Sequence, residues 1–139
     1  MDKVTRFGVS LESQLLTQFD ALLKKTGYKN RSEAIRDLIR DRLVKQEWEE
    51  ENKEIIGIMS VVFNHEKREV TEILNHIQHQ HIGAIISSTH IHLDSHNCLE
   101  VIILRGKSRV IENISNQLKS TRNVKHGELI KTTVGKDLE

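Results

Sequence analysis

This sequence predicts an α+β protein in two unequal units, and three observations predict it. Residues 4–11 alternate in the manner of one short strand, two helical patterns follow at once, and residues 55–133 read strand, helix, strand, strand, helix, strand. With 139 residues, 37% of them hydrophobic, the chain can build one ordinary domain or two small ones, and the pattern favours two. The expected boundaries are 1–48 for the first unit, 49–54 for a charged linker and 55–139 for the second. No apolar run approaches the length of a membrane span, and no charged-then-apolar leader is present, so a cytoplasmic protein without a membrane partner is expected. A single cysteine permits no internal disulfide.

In the first unit, Thr5, Phe7, Val9 and Leu11 fall on one side of the strand and Arg6, Gly8 and Ser10 on the other. A helix follows with Leu11, Leu15, Leu16, Phe19, Leu22 and Leu23 on one stripe, and Thr26-Gly27 stops it because glycine takes the left-handed cap conformation. Asn30 is placed to cap a second helix, with Glu33 three residues on and Ile35, Leu38, Ile39 and Leu43 as its apolar stripe. One strand makes no sheet, and about 45 residues bury too little surface to stand alone, so this unit calls for a second copy. Two such strands would pair as an antiparallel ribbon whose outward Arg6, Gly8 and Ser10 fit the major groove of double-stranded DNA, with Phe7 and Val9 turned to the core. Charge agrees in sign: residues 1–45 hold ten Lys/Arg against six Asp/Glu. The strand-helix-helix order with NRSEAIRD at the second helix resembles the ribbon-helix-helix family of transcription factors. In that family the helix N-terminus, here at Asn30, holds a DNA phosphate. Lys29 and Arg36 are candidate phosphate contacts by position and charge, a solvated helix surface being the alternative for each.

The second unit opens with a strand over Ile55–Asn64, then a helix over Glu66–Gln80 with Val70, Ile73, Leu74 and Ile77 on one buried stripe. Ala84–His92 and Cys98–Arg105 form a hairpin ended by Gly106, Ser108–Ser120 is helical, and Val124–Thr133 closes the sheet. This βαββαβ order is ferredoxin-like.

The hairpin carries the chemistry. His90, His92, His96 and the only cysteine, Cys98, lie within nine residues. Alternation puts His90 and His92 on one face, and the turn-like run Asp94-Ser95-His96-Asn97 brings Cys98 alongside. Imidazoles plus a thiolate suit nickel, copper or zinc far better than magnesium or calcium, and a further donor must come from elsewhere in the chain or from a partner chain. The segment His76–His81, HIQHQH, is the obvious supplier. His79 lies off its helix's apolar stripe, on the face of Glu72 and His76, and so should point outward, well placed to complete a neighbouring chain's site. His81, near the stripe, reads as structural, as do the isolated His65 and His126. A buried structural cysteine is the rival reading of Cys98. No activated nucleophile constellation or phosphate-cradling glycine loop is present, which argues against an enzyme.

Together with NHEKREV, IQHQH, THIHLDSHNCLE and VKHGEL, these features closely resemble the nickel-responsive transcriptional regulator family over nearly the whole chain. The ligand order is specific: His90 follows His79 by eleven positions, His92 follows by two more and Cys98 by a further six. The resemblance implies an ACT-type second unit and square-planar Ni(II), one per chain, at the centre of a homotetramer built as a dimer of dimers. His90, His92 and Cys98 would come from one subunit and His79 from another, with no organic cofactor. It also implies that Gln78 and Glu100 orient the ligands and that Glu33 and Asp37 hold a potassium-like cation between the domains. Lys67 and Arg68 would reach DNA phosphate, and nickel-uptake genes would be repressed. Gly8 departs from the hydroxyl residue common in the family, which bears on which operator is read, and His96 offers an alternative donor. The competing readings are a ribbon-helix-helix regulator that senses a small organic effector through its ACT-like domain, and a metal-storage or delivery protein.

Overall fold

A computed structural model of the chain describes residues 3–139. Their contacts divide them into two compact units, the first ending at Asp41 and the second beginning at Arg42. In the first, helix α1 (Ser13–Thr26) ends where Gly27 turns left-handed at φ 82°, its N–H reaching the carbonyl of Leu23. Helix α2 (Arg31–Glu49) starts on Asn30, whose side-chain oxygen accepts the Glu33 N–H at 2.9 Å, as the capping pattern predicts. Arg31 grips both carboxylate oxygens of Asp20 at 2.9 and 2.8 Å, tying the start of α2 to α1.

Residues 3–12 make no ladder in the single chain, and Phe7 and Val9, expected to face a core, are 69% and 59% exposed. The physical reason is the one that called for a second copy. Ladder hydrogen bonds need a partner strand, and one chain supplies none. Leu22, Leu38 and Ile39 of the same unit are exposed as well, so large apolar side chains of this unit stay uncovered in the single chain.

The second unit is a four-stranded antiparallel sheet in the order β2-β3-β1-β4 with two helices, the ferredoxin-like α+β arrangement. Its elements are β1 (Glu54–Asn64), α3 (Arg68–Gln80), β2 (Ile85–His92), β3 (Asn97–Lys107), α4 (Ser108–Lys119) and β4 (Val124–Thr133). Alternation in β1 puts Ile55, Met59, Val61 and Phe63 in a core with Cys98, Ile102 and Leu104 of β3. Val70, Leu74 and Ile77 of α3 and Ile111, Ile114 and Leu118 of α4 complete it. Ile73, read as part of the same stripe, stays 41% exposed at the stripe's edge. Gly57 is needed where α4 crosses the sheet, since a Cβ there would meet Ile111 Cγ2 at 2.8 Å. Truncating a fully buried phenylalanine costs about 3–5 kcal/mol. Phe63, paired with Cys98 in the ladder, therefore anchors the end of the sheet that carries the histidines.

Two boundaries differ from the sequence reading. Helix α3 begins at Arg68, not Glu66, because the Asn64 side chain takes the Glu66 N–H at 2.9 Å and its carbonyl takes the Lys67 N–H at 3.1 Å, forming a turn. The last turns of α2 belong to the second unit, where Glu47 accepts the Thr133 hydroxyl at 2.9 Å and the Trp48 indole N–H reaches the Thr132 carbonyl at 3.3 Å. A large aromatic finds apolar cover there, which a solvated linker would not give. Among the described residues no helix is long and apolar enough to cross a membrane.

Candidate metal centre

The β2–β3 hairpin brings its donors together by register. His92 stands opposite Cys98 and His90 opposite Glu100, so both imidazoles share the helix-covered face with the cysteine. The turn is held by Asp94, whose carboxylate accepts the N–H groups of His96 and Asn97 at 2.8 and 2.7 Å and the Asn97 amide at 3.0 Å. Those bonds, the Asn97 amide first, lower the Asp94 pKa to about 2. Cys98 Sγ lies 3.3 Å from His92 Nδ1, and the rings of His90 and His92 stand 5.2 Å apart. Phe63 meets His90 edge-on at 5.7 Å, and so closes the apolar side of the cluster.

Behind these groups, Glu100 is buried and accepts hydrogen bonds from Ser88 Oγ at 2.8 Å and Gln78 Nε2 at 3.2 Å. Gln78 rides on α3, so the hydrogen bond couples the helix's last turn to the strand beside His90. His79, the next residue, is exposed and is not in the donor group of its own chain.

His65 was read from sequence as a lone structural residue, and its placement is different. Among the described residues, the donors whose ligand atoms all lie within 4.8 Å of one another are His65, His92 and Cys98, while His90 is outside that group with its ring 5.2 Å from that of His92. The signal was parity: His65 follows Phe63 by two, and Phe63 pairs with Cys98, so the end of β1 runs beside the hairpin's tip. His96 turns away from the cluster, its Nδ1 lying 2.8 Å from Glu66 Oε1.

The remaining sequence candidates are spread over the surface. Arg6 and Ser10 are exposed on the extended N-terminal segment, and Lys29 and Arg36 are exposed around the start of α2. Glu33 is exposed, while Asp37 takes the Tyr28 hydroxyl at 2.5 Å and stands 3.5 Å from Arg40. Lys67 occupies the cap position of α3, and Arg68 lies 3.3 Å from Glu72 one turn on.

The donor set fits a borderline-soft divalent ion: one thiol and imidazoles in contact, with a buried carboxylate behind them. Burial, with Asp94 adding to it, pushes the Cys98 thiol above its ordinary pKa. The thiol therefore carries its proton at neutral pH and must release it to bind metal. Below that pKa the apparent metal affinity should rise about tenfold per pH unit. Calorimetry in mildly acidic and mildly alkaline buffer checks this, and an affinity that does not change with pH would remove Cys98 from the ligand set.

Comparison with known proteins gives the same two parts. A family described as "Ribbon-helix-helix protein, copG family" matches residues 5–46, and one described as "NikR C terminal nickel binding domain" matches residues 56–132. Three relatives are named, by inference, nickel-responsive regulators. The one from Caldanaerobacter subterraneus subsp. tengcongensis is 55% identical over 99% of this chain and 90% of its own length. The one from Nitratidesulfovibrio vulgaris is 52% identical over 99% of both chains. The one from Pyrococcus horikoshii is 46% identical over 98% of this chain and 99% of its own. The solved structure of an uncharacterized protein, TM1266 from Thermotoga maritima, shares the fold alone: TM-score 0.51 and 13% identity over 56% of this chain and 96% of that one. On its two matched domains and its full-length likeness to these relatives, the chain belongs to the nickel-responsive regulators, a family of ribbon-helix-helix DNA-binding proteins and not of enzymes.

Proposed function

We propose that this chain is a nickel-dependent repressor of nickel-uptake genes, acting as a homotetramer in which each Ni(II) is shared by two chains. The observation that carries the reading is the division of the donors. Cys98 and His92 stand 3.3 Å apart with His90 beside them, whereas His79 is exposed on α3 and outside its own chain's group. An outward imidazole and a three-donor hairpin are complementary between two copies. One ion per chain follows, and square-planar coordination by three nitrogens and a thiolate is a geometry that Ni(II) and Cu(II) accept.

His90, His92 and Cys98 would hold the metal from the hairpin and His79 from the partner's helix. Because Gln78 binds Glu100 and His79 is its neighbour, ligation at His79 would fix the end of α3 against two hairpins at once. The ribbon-helix-helix pairs are then held at one separation, and operator affinity rises by the difference in coupling between the fixed and free states. The exposed Phe7 and Val9 support pairing of two N-terminal strands, which leaves Arg6 and Ser10 outward for base edges in the major groove. The start of α2 at Asn30 and Arg36, with Lys67 and Arg68 on the second unit, would take phosphates. Glu33 and Asp37 are the carboxylates for a potassium-like cation. The copper, zinc and nickel affinities of such a set overlap, so selectivity rests on geometry and response more than on binding strength.

The test is a gel shift with a DNA fragment selected from random sequence in the presence of Ni(II). Wild-type protein should retain it only when nickel is added. Arg6→Ala should weaken retention about 10- to 100-fold, while its nickel titration stays unchanged. Nickel-independent retention, or an Arg6→Ala protein that binds as tightly as wild type, would contradict the reading.

A further inference from the structure

We propose that Lys125, the second residue of β4, is a positioning residue for the metal centre, which acts through Asn97 to hold His92 and Cys98 at chelating distance. What the pair is held for rests on the nickel reading above. The sheet order puts β1 between β4 and β3, so a contact from Lys125 to the hairpin has to cross a whole strand. It does so: Lys125 Nζ donates to Asn97 Oδ1 at 2.6 Å, joining residues 28 positions apart. A break in register directs the reach. Val62 pairs with His126 and Phe63 with Val124, which leaves Lys125 as the extra residue of a β-bulge, a device that re-aims a side chain.

Asn97 is the hub of the turn between the two donors. Its carbonyl accepts the N–H groups of Leu93 and Asp94 at 2.9 and 3.3 Å, while its own N–H and its amide donate to the two carboxylate oxygens of Asp94 at 2.7 and 3.0 Å. His92 directly precedes this ring of bonds and Cys98 directly follows it, and their Sγ–Nδ1 separation is 3.3 Å. The amide stands between unlike charges, its oxygen toward the ammonium and its nitrogen toward the carboxylate. Each of its two side-chain bonds therefore has an ionised partner and is stronger than a neutral pair. Removing the ammonium leaves the amide gripped from the Asp94 side and frees the turn to loosen.

The sign of the effect separates positioning from electrostatics. Lys125 places a positive charge beside a site for a dication, so by Coulomb's law its loss alone would strengthen metal binding. Positioning acts the other way, because a turn that must be ordered on ligation weakens binding. Loss of a group that orients a ligand lowers metal affinity about 10- to 100-fold, and Lys125, acting through Asn97, belongs at the lower end.

Full-length metal-free protein, kept reduced, is compared as wild type, Lys125→Met, Lys125→Arg and Asn97→Ala. In Lys125→Met the Cys98 thiol, the only one in the chain, should react faster with a chromogenic disulfide, and the Leu93 and Asp94 amides should exchange hydrogen faster. Circular dichroism should stay that of wild type, since Lys125 is exposed. Ni(II) affinity, read against a chelator, should fall about tenfold with the saturated spectrum unchanged. Lys125→Arg should restore all three readouts, and Lys125→Met should add nothing further to Asn97→Ala. Unchanged or higher Ni(II) affinity in Lys125→Met, wild-type thiol and exchange rates, or a loss that arginine does not repair overturns the proposal. Should Asn97→Ala fail to fold, the methionine and arginine variants decide alone. A wild type that binds no Ni(II) would count against the nickel reading, and the thiol and exchange rates would still decide whether Lys125 positions Cys98.

Discussion

Cys98→Ala is expected to abolish nickel-dependent DNA retention. The thiolate is the one soft donor in the set, and the carbon left in its place coordinates nothing. Loss of a group that merely orients a ligand costs about 10- to 100-fold in metal affinity, and loss of the thiolate should exceed that. The thiolate-to-nickel absorption should vanish with it, because no other cysteine exists to replace it. Folding should survive. Cys98 is fully buried against Phe63 and its neighbours, and alanine leaves only a sulfur-sized gap. Circular dichroism with and without nickel, beside the gel shift, separates the two effects. A variant that keeps the fold and still retains DNA only with nickel would contradict the assignment.

His79→Ala is expected to lose nickel binding as completely, and the loss should be repaired by mixing chains. If each site takes His79 from one copy and the hairpin donors from another, a tetramer assembled from His79→Ala and Cys98→Ala chains contains sites with every ligand intact. Two-tag purification of co-expressed chains isolates such tetramers. The square-planar nickel bands should be absent from either variant alone and return in the mixed tetramer at up to about half the wild-type capacity, the ceiling reached when every reciprocal pair joins one chain of each kind and so holds one whole site. If His79 served its own chain, every site in the mixture would lack one ligand and no band would return.

Much of this was legible in the sequence where the governing rule is local. Period-two alternation placed His90 and His92 with Cys98, and the observed register of His92 opposite Cys98 agrees. Helical period put His79 off the buried stripe of Val70, Leu74 and Ile77, and it is exposed. Asn30 capped its helix as the spacing to Glu33 required. What the sequence did not yield depends on contacts between distant segments. His65 gained its place from the pairing of β1 with β3, which no single-segment pattern encodes, and that pairing is what makes a histidine standing alone in sequence a neighbour of Cys98. Trp48 extended α2 into the second unit because an apolar surface was there to receive it. The N-terminal strand was readable as a pattern but has no ladder in one chain, since its partner is a second copy in the proposed assembly.

The most direct test of the central claim is a Ni(II) titration of metal-free wild-type protein followed by absorption. The account predicts thiolate-to-nickel charge transfer and square-planar ligand-field bands that grow together and saturate at one ion per chain. A flat response, or weak octahedral bands without charge transfer, would contradict it.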